Sequence, residues 1–386
     1  MKKLRRRVPL GVLAVSLAAV VVPTSGAAAA APQGGHSQGA HDGGVRTTIQ
    51  VVAEGLDTPR GVIYDKRNNR ILVAESGQAA GNGGPCAAGA GGAIWCSERT
   101  GAIYQYLTRR PSHSGRVASN LPSVRLEDNT AVLGPHDIAL GKRGELNVVF
   151  GLSGRQSFRD GLGPDGAQLA TVATLDRHGN LETVGDLSVF EEINNPDGRR
   201  VDSDPFGIMA DEDGSMVVAD AGANNVVRVA ADGTVTLLAN PAPRVLPDDP
   251  DYESVPTSVV RGPDGAYYFT ELTGYPNVPG TARVLRFRPG MEPQVYEQGF
   301  TSLVDVLFDE RGRLVVLELA KNGIYNPPDT RTGRLVRVER DGSHTVLAEM
   351  VNPGGVAMTG PGEFYVSTNS ADAGDTGQLL KVKVRG

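Results

Sequence analysis

Apolar and polar positions along this chain form short runs that repeat in blocks of four. Each block opens with a Pro-x-Gly-like step and an apolar run. It turns at a Gly-centred pair and runs apolar again, often ending in an acid. A third run, a Gly turn and a fourth run rich in Val, Thr and Leu complete it. The openings are Pro59-Arg60-Gly61-Val62, Pro135-His136-Asp137-Ile138, Pro205-Phe206-Gly207-Ile208, Pro256-Thr257-Ser258-Val259, Leu303-Val304-Asp305-Val306 and Pro353-Gly354-Gly355-Val356. Where no loop is inserted the blocks recur every roughly 50 residues, a repeat length of β-propellers, whose blades bury their faces on one another. Turn pairs such as Asp213-Gly214 and Asp264-Gly265 supply the positive φ of two-residue hairpins. Second runs such as Met216-Val217-Val218-Ala219 are apolar throughout and too short for helices, which fits strands covered on both sides. The pattern predicts an all-β fold, a six-bladed β-propeller of four-stranded antiparallel blades.

The sixth block stops after its third run, at Lys381 to Gly386. A spare strand, Thr47 to Ala53, precedes the first block. The ring is therefore expected to close by pairing the N- and C-terminal strands. Only Leu187 to Ile193 has helical spacing, and it predicts a short helix in a connector.

The start of the chain falls outside this pattern. Lys2, Lys3, Arg5, Arg6 and Arg7 precede an apolar run from Val8 to Val22 and then small residues. Residues 1–31 read as a secretory signal peptide, too short and wrongly flanked for a spanning helix. Residues 32–46 read as a flexible Gly/His-rich linker, in which His36 and His41 are solvated, and 47–386 as the propeller. The expected product is secreted and extracellular, has no stable membrane insertion and is a monomer. Taking the five leader cations from 38 basic residues leaves 33 against 44 acidic ones, a net of −11. Such a surface repels phosphate backbones and excludes nucleic acid as a partner. Cys86 and Cys96 are the only cysteines, and export predicts a disulfide between them.

Long insertions join second to third runs at 76–100, 151–168, 272–281 and 319–332, and join blocks at 186–204 and 240–255. In an antiparallel blade both kinds of connection emerge on one face. That face is elaborated and the other carries tight hairpins. Loops of this kind are where binding residues concentrate.

Four blocks place an acid just after the second run: Glu75, Asp220, Glu271 and Glu318. Block openings add Arg60, His136, Asp137 and Asp305. These eight are the candidate ligand-binding residues at the channel mouth, with His136 the strongest single one. Carboxylates around a mouth suit Ca²⁺, which takes six to eight oxygens, or a general acid and base. A repeated acid can equally accept backbone N–H bonds from the adjacent loop and serve the fold alone. There is no His-Glu-x-x-His, no phosphate-binding Gly-Lys-Ser/Thr and no His/Cys cluster. No catalytic set stands out and no cofactor is expected, Ca²⁺ apart.

Certain phrases occur in a recognisable order. They include Gly55-Leu56-Asp57-Thr58-Pro59-Arg60-Gly61-Val62, Val73-Ala74-Glu75-Ser76-Gly77, Gly134-Pro135-His136-Asp137 and Asn195-Pro196-Asp197-Gly198. Glu271-Leu272-Thr273-Gly274-Tyr275-Pro276, followed by Gly299-Phe300-Thr301, is the most specific. From Val45 onward the chain resembles the ScyD/ScyE family of exported bacterial NHL-like propellers. The resemblance implies the fold and export, and no defined reaction. The leading functional expectation is a secreted binding or scaffold protein presenting its elaborated face to a protein, glycan or small molecule. The alternative is a Ca²⁺-dependent hydrolase or lactonase of the six-bladed kind.

Overall fold

The computed structural model describes residues 45–81, 83–176, 178–246 and 249–385. The signal-peptide reading, most of the linker, His36 and His41 lie outside the described residues. Six antiparallel blades form a ring, five of them four-stranded sheets and the first a four-stranded blade to which short extra strands are added. The blades open at Pro59–Asp65, Pro135–Leu140, Pro205–Ala210, Pro256–Arg261, Leu303–Phe308 and Gly355–Gly360.

The sixth blade is closed by the first strand of the chain. Arg46–Leu56 pairs antiparallel with Gly377–Arg385, from Arg46↔Arg385 to Leu56↔Gly377. The terminal strands thus protect each other's edges, which an open ring would expose. The first-to-second hairpins turn where expected: Gly214 has φ 95° and Gly265 φ 74°, values a side chain resists.

The core lies between blades. Val315, Leu317 and Leu335 of the fifth blade pack with Val356, Phe364, Val366 and Leu380 of the sixth. Each such side chain, fully buried, contributes about 1.5–3 kcal/mol. Short Val- and Leu-rich strands with both faces covered are the physical counterpart of the unbroken apolar runs.

The expected connector helix is present as Leu187–Asn194, here α2, after the shorter α1 at Gln156–Gly161. Asp186 anchors both. Its side chain caps α2 by accepting from Val189 N at 3.0 Å, and its two oxygens take Arg159 Nη1 and Nη2 of α1, each at 2.8 Å. The helix α1 had no sequence signature, because buried Phe158 and Arg159 hold it rather than an amphipathic period. The Cys86–Cys96 disulfide is formed. Between the two cysteines, Cys86–Ala88 makes a small ladder with Ile94–Cys96 around buried Trp95.

Candidate functional site

The first strands set two tiers of residues around the ring axis. Arg60, His136, Phe206, Thr257, Val304 and Gly354 occupy the second position of each opening. Gly61, Asp137, Gly207, Ser258, Asp305 and Gly355 occupy the third. Most of them line a constriction of only about 10 Å³.

The acids here tie neighbouring blades together. Asp137 accepts from Ile138 N at 2.8 Å and from Ile208 N of the next blade at 3.0 Å. Asp305 accepts from Val306 N, from Ser258 Oγ of the preceding blade and from Val356 N of the following one, each at 2.8 Å. Gly61 makes room for this: a Cβ there would lie 2.0 Å from Asp137 Oδ1. Burial, then the Asp305 charge, holds Asp137 well above the usual carboxylate range, and burial raises Asp305 to about 6. Past these acids the axis widens into a mainly apolar funnel of about 490 Å³, walled by residues such as Ile138, Ile208, Val259 and Phe308. These are the later positions of the first strands, so the funnel opens on the hairpin side.

His136 and Arg60 are buried beside each other. His136 Nδ1 donates to Pro205 O at 3.0 Å, which leaves Nε2 as the lone-pair nitrogen, unpartnered. Burial and the Arg60 charge keep the ring neutral by lowering it well below the ordinary histidine value. Arg60 donates to Ser76 Oγ at 3.0 Å, stands 5.8 Å from the Phe206 ring centre, and is lowered to about 10 by burial.

The four second-strand acids do not line the axial space. Each is buried and bonded to its own blade. Glu75 accepts from Asp57 N at 2.7 Å and from Arg116 Nε and Nη2 at 2.9 and 2.7 Å. Glu271 accepts from Ser254 Oγ at 2.7 Å and from Arg283 Nε and Nη2, each at 2.8 Å. Glu318 takes Thr301 N at 2.8 Å and Arg334 Nε at 2.5 Å. Asp220 takes Ser203 Oγ at 2.7 Å, Asp204 N at 2.8 Å and Ala223 N at 3.1 Å. Of the eight candidates the structure brings together Arg60, His136, Asp137 and Asp305 at the axis, and leaves Glu75, Asp220, Glu271 and Glu318 apart.

A Ca²⁺ ion does not fit the axial tier on the loop side. Its polar groups there are a buried guanidinium, a neutral imidazole and Thr257, whose Oγ1 already donates to Leu303 O at 2.8 Å. A hard cation needs anionic or carbonyl oxygens, and the guanidinium repels it.

The sequence reading missed a different group on the elaborated face. A cleft of about 70 Å³ lies between the connectors of the second, third and fourth blades. Asp202, Asp204, Arg199, Arg200, Asn224 and Glu253 line it, along with smaller residues. Asp204 is 2% exposed; Oδ1 accepts from Leu152 N at 3.2 Å, and among the described residues Oδ2 has no hydrogen-bond partner. Burial and the Asp202 and Asp220 charges raise it to about 7. Asp220, just behind, is raised to about 6 by burial. Arg200 pairs with Asp202 and stays half-exposed. A carboxyl that titrates near neutrality, with a free oxygen and a guanidinium nearby, can take or give a proton at a bound group. The signal was the run Asn195 to Asp204, dense in acids inside an insertion.

No protein-family model matches the chain, and no curated protein matches it in sequence. Solved structures do share the ring. A gluconolactonase from Xanthomonas campestris superposes with a TM-score of 0.50 at 9% identity, over 89% of this chain and 90% of that one. A luciferin-regenerating enzyme gives 0.51 at 12% identity, over 88% and 97%. A protein of unknown function from Bacteroides thetaiotaomicron gives 0.50 at 12%, over 88% and 76%. At such identities the likeness establishes the six-bladed fold alone.

Proposed function

We propose that this chain is an exported hydrolase that opens small polar esters or lactones in the elaborated-face cleft, with Asp204 as its acid–base group. One observation carries the reading: a buried carboxyl with an unpartnered oxygen, held near neutral pH, on the wall of a polar cleft. As base, Asp204 takes a proton from the water that attacks the carbonyl carbon. As acid, it returns that proton to the departing oxygen, giving a hydroxy acid. Arg200, freed from Asp202, meets the negative charge that develops on the carbonyl oxygen. The fold neighbour named a gluconolactonase sets the first reaction to try. Export in the ScyD/ScyE manner is proposed on the phrases quoted above.

The competing reading is a binding module that uses the same face for a protein, glycan or small molecule. Tyr275, 57% exposed and packed edge-on to Tyr325 with ring centres 5.3 Å apart, favours it. The test is a panel of sugar lactones and simple esters with purified protein. Turnover is expected, rising with pH through about 7, and Asp204→Asn should lose roughly 100-fold or more with its fold intact. Turnover indifferent to Asp204→Asn refutes the site. Thermal stabilisation by ligands with no turnover selects the binding module.

A further inference from the structure

In the fourth and fifth blades, the acid that ends the second strand meets a guanidinium from the third. Arg334 lies opposite Glu318 in register. Arg283 holds the matching place against Glu271, one step beyond Thr270↔Val284. In the first blade, Arg116 of the fourth strand does the same for Glu75. The third blade breaks the rule. The residue opposite Asp220 is Asn225, and among the described residues no salt bridge reaches Asp220. The neighbouring charged group from α2 is a further carboxyl, Glu191 on its buried face, for which Asp220 is the strongest charge nearby.

Among the described residues, the Glu191 and Asn225 side chains are deeply buried and have no hydrogen-bond partner. Glu191 is 1% exposed, and neither carboxyl oxygen has a hydrogen-bond partner. Asn225 is 1% exposed, and both Oδ1 and Nδ2 lack partners. Its place opposite Asp220 puts its amide on the same side of the sheet as that carboxyl. Ser188, three residues before Glu191 on the same helix face, has an unpartnered Oγ, and Asp202 has an unpartnered Oδ1. Buried polar atoms in folded proteins almost always have partners, so such a concentration points to a ligand. The charged groups around Glu191 are Asp220, Asp197, Asp202 and Glu192, all acidic.

We infer that the junction of α2 with the third blade binds one Ca²⁺ ion, held by Glu191, Asn225 Oδ1 and Ser188 Oγ beside Asp220 and Asp202, where the first, fourth and fifth blades use arginine. The donors are all oxygen, which selects a hard cation. The mixed, irregular set suits Ca²⁺ rather than Mg²⁺, which demands near-ideal octahedral geometry. Among the described residues no three His, Cys, Asp or Glu side chains already converge as ligands. Here an amide and a hydroxyl complete the set, and a bound cation offsets the mutual repulsion of the carboxylates gathered there. The site borders the hydrolase cleft at Asp202 and Asp220, and because its occupancy is read without substrate its failure is distinguishable from that of the hydrolase reading.

The test uses the purified protein after exhaustive chelation, with melting temperature and bound metal followed as calcium is added. Wild type should take up one calcium per chain and melt higher with calcium than with magnesium or sodium. Glu191→Gln should weaken calcium uptake at least tenfold. Asn225→Arg should abolish it and, by supplying the missing guanidinium, melt in chelator at least as high as chelated wild type. If Asn225→Arg fails to fold, Glu191→Gln alone decides. The inference is overturned if wild type binds no calcium at millimolar concentration, or if Glu191→Gln binds it as wild type does.

Discussion

Neutralising the second-strand acids one at a time separates blades built on a salt bridge from the blade that lacks one. Glu271 is fully buried and carries Arg283 through two bonds of 2.8 Å, with Arg244 Nη2 a further 3.8 Å from it. The Arg283 side chain is only 16% exposed. Glu271→Gln leaves that guanidinium without its counter-charge in a largely dry site. Breaking such a pair costs about 3–5 kcal/mol, and the amide oxygen that survives places this variant near 3 kcal/mol. Asp220→Asn removes a charge that faces no guanidinium. Asn Oδ1 still accepts from Asp204 N and Ala223 N, so at most the Ser203 bond is lost, about 1 kcal/mol. Relief of repulsion from Asp202 offsets that loss. The expected difference between the variants is therefore about 2 kcal/mol or more, with Asp220→Asn close to wild type. Equilibrium denaturant unfolding in chelator at mildly alkaline pH, where Asp220 is ionised, measures it. Equal losses in the two variants would show that the third-blade acid is as firmly compensated as the others, and the reasoning about Asn225 would fail.

The remaining predictions concern the axis, the ring closure, the disulfide and pH. Gly61→Ala should destabilise by about 2–4 kcal/mol, since its Cβ displaces Asp137 and strands the Ile208 N–H. In the double variant with Asp137→Ala the costs should fall well short of additive, and simple additivity in a double-mutant cycle contradicts the clash. A chain starting at Asp57 should melt far below one starting at Val45, because it loses the whole pairing with Gly377–Arg385; equal melting temperatures contradict closure by the termini. Replacing Cys86 and Cys96 by Ser should cost at most about 3 kcal/mol, the chain-entropy value for so short a loop, and leave the ring intact by circular dichroism. Asp220 and Asp305 are raised to about 6, Asp204 to about 7 and Glu191 to about 9, so the folded state holds protons that the unfolded chain releases from about pH 4 upward. Their contribution is complete below that point and is lost as pH rises through 6 to 9. In chelator the melting temperature should therefore peak in mild acid and fall toward alkaline pH, and a rise from pH 5 to 8 contradicts these assignments.

The ring was legible because it is written in repetition. Six openings, six tight turns and a spare strand at the far end fix blade number, strand order and closure without any one residue being decisive. The α2 helix was legible because its apolar spacing interrupts the strands. The site was not, for two physical reasons. Glu75, Glu271 and Glu318 share a position with Asp220, and a repeat makes such residues look like a common binding set. What separates them is the group that reaches the carboxyl, an Arg from the third strand for Glu271 and Glu318, Arg116 from the fourth strand for Glu75 and Asn225 for Asp220, and that depends on register. Asp202, Asp204 and Glu191 sit in an insertion with no repeat to compare against, so only the folded chain shows that they meet. His136 stood out as a rare residue in a regular place, and its position on the axis was foreseeable. Its burial beside Arg60 was not, because that follows from how narrow the ring becomes at Asp137 and Asp305.

The proposed functional site is the Asp204 cleft of the elaborated face, not the axial funnel on the opposite side. The most direct test is a crystal structure of the protein soaked with a sugar hydroxy acid, the product of lactone opening. Difference density for the acid between Asp204, Arg200 and Asn224, with the funnel clear, is the predicted result. Density for the acid in the funnel above Asp137 and Asp305, with the cleft clear, contradicts it.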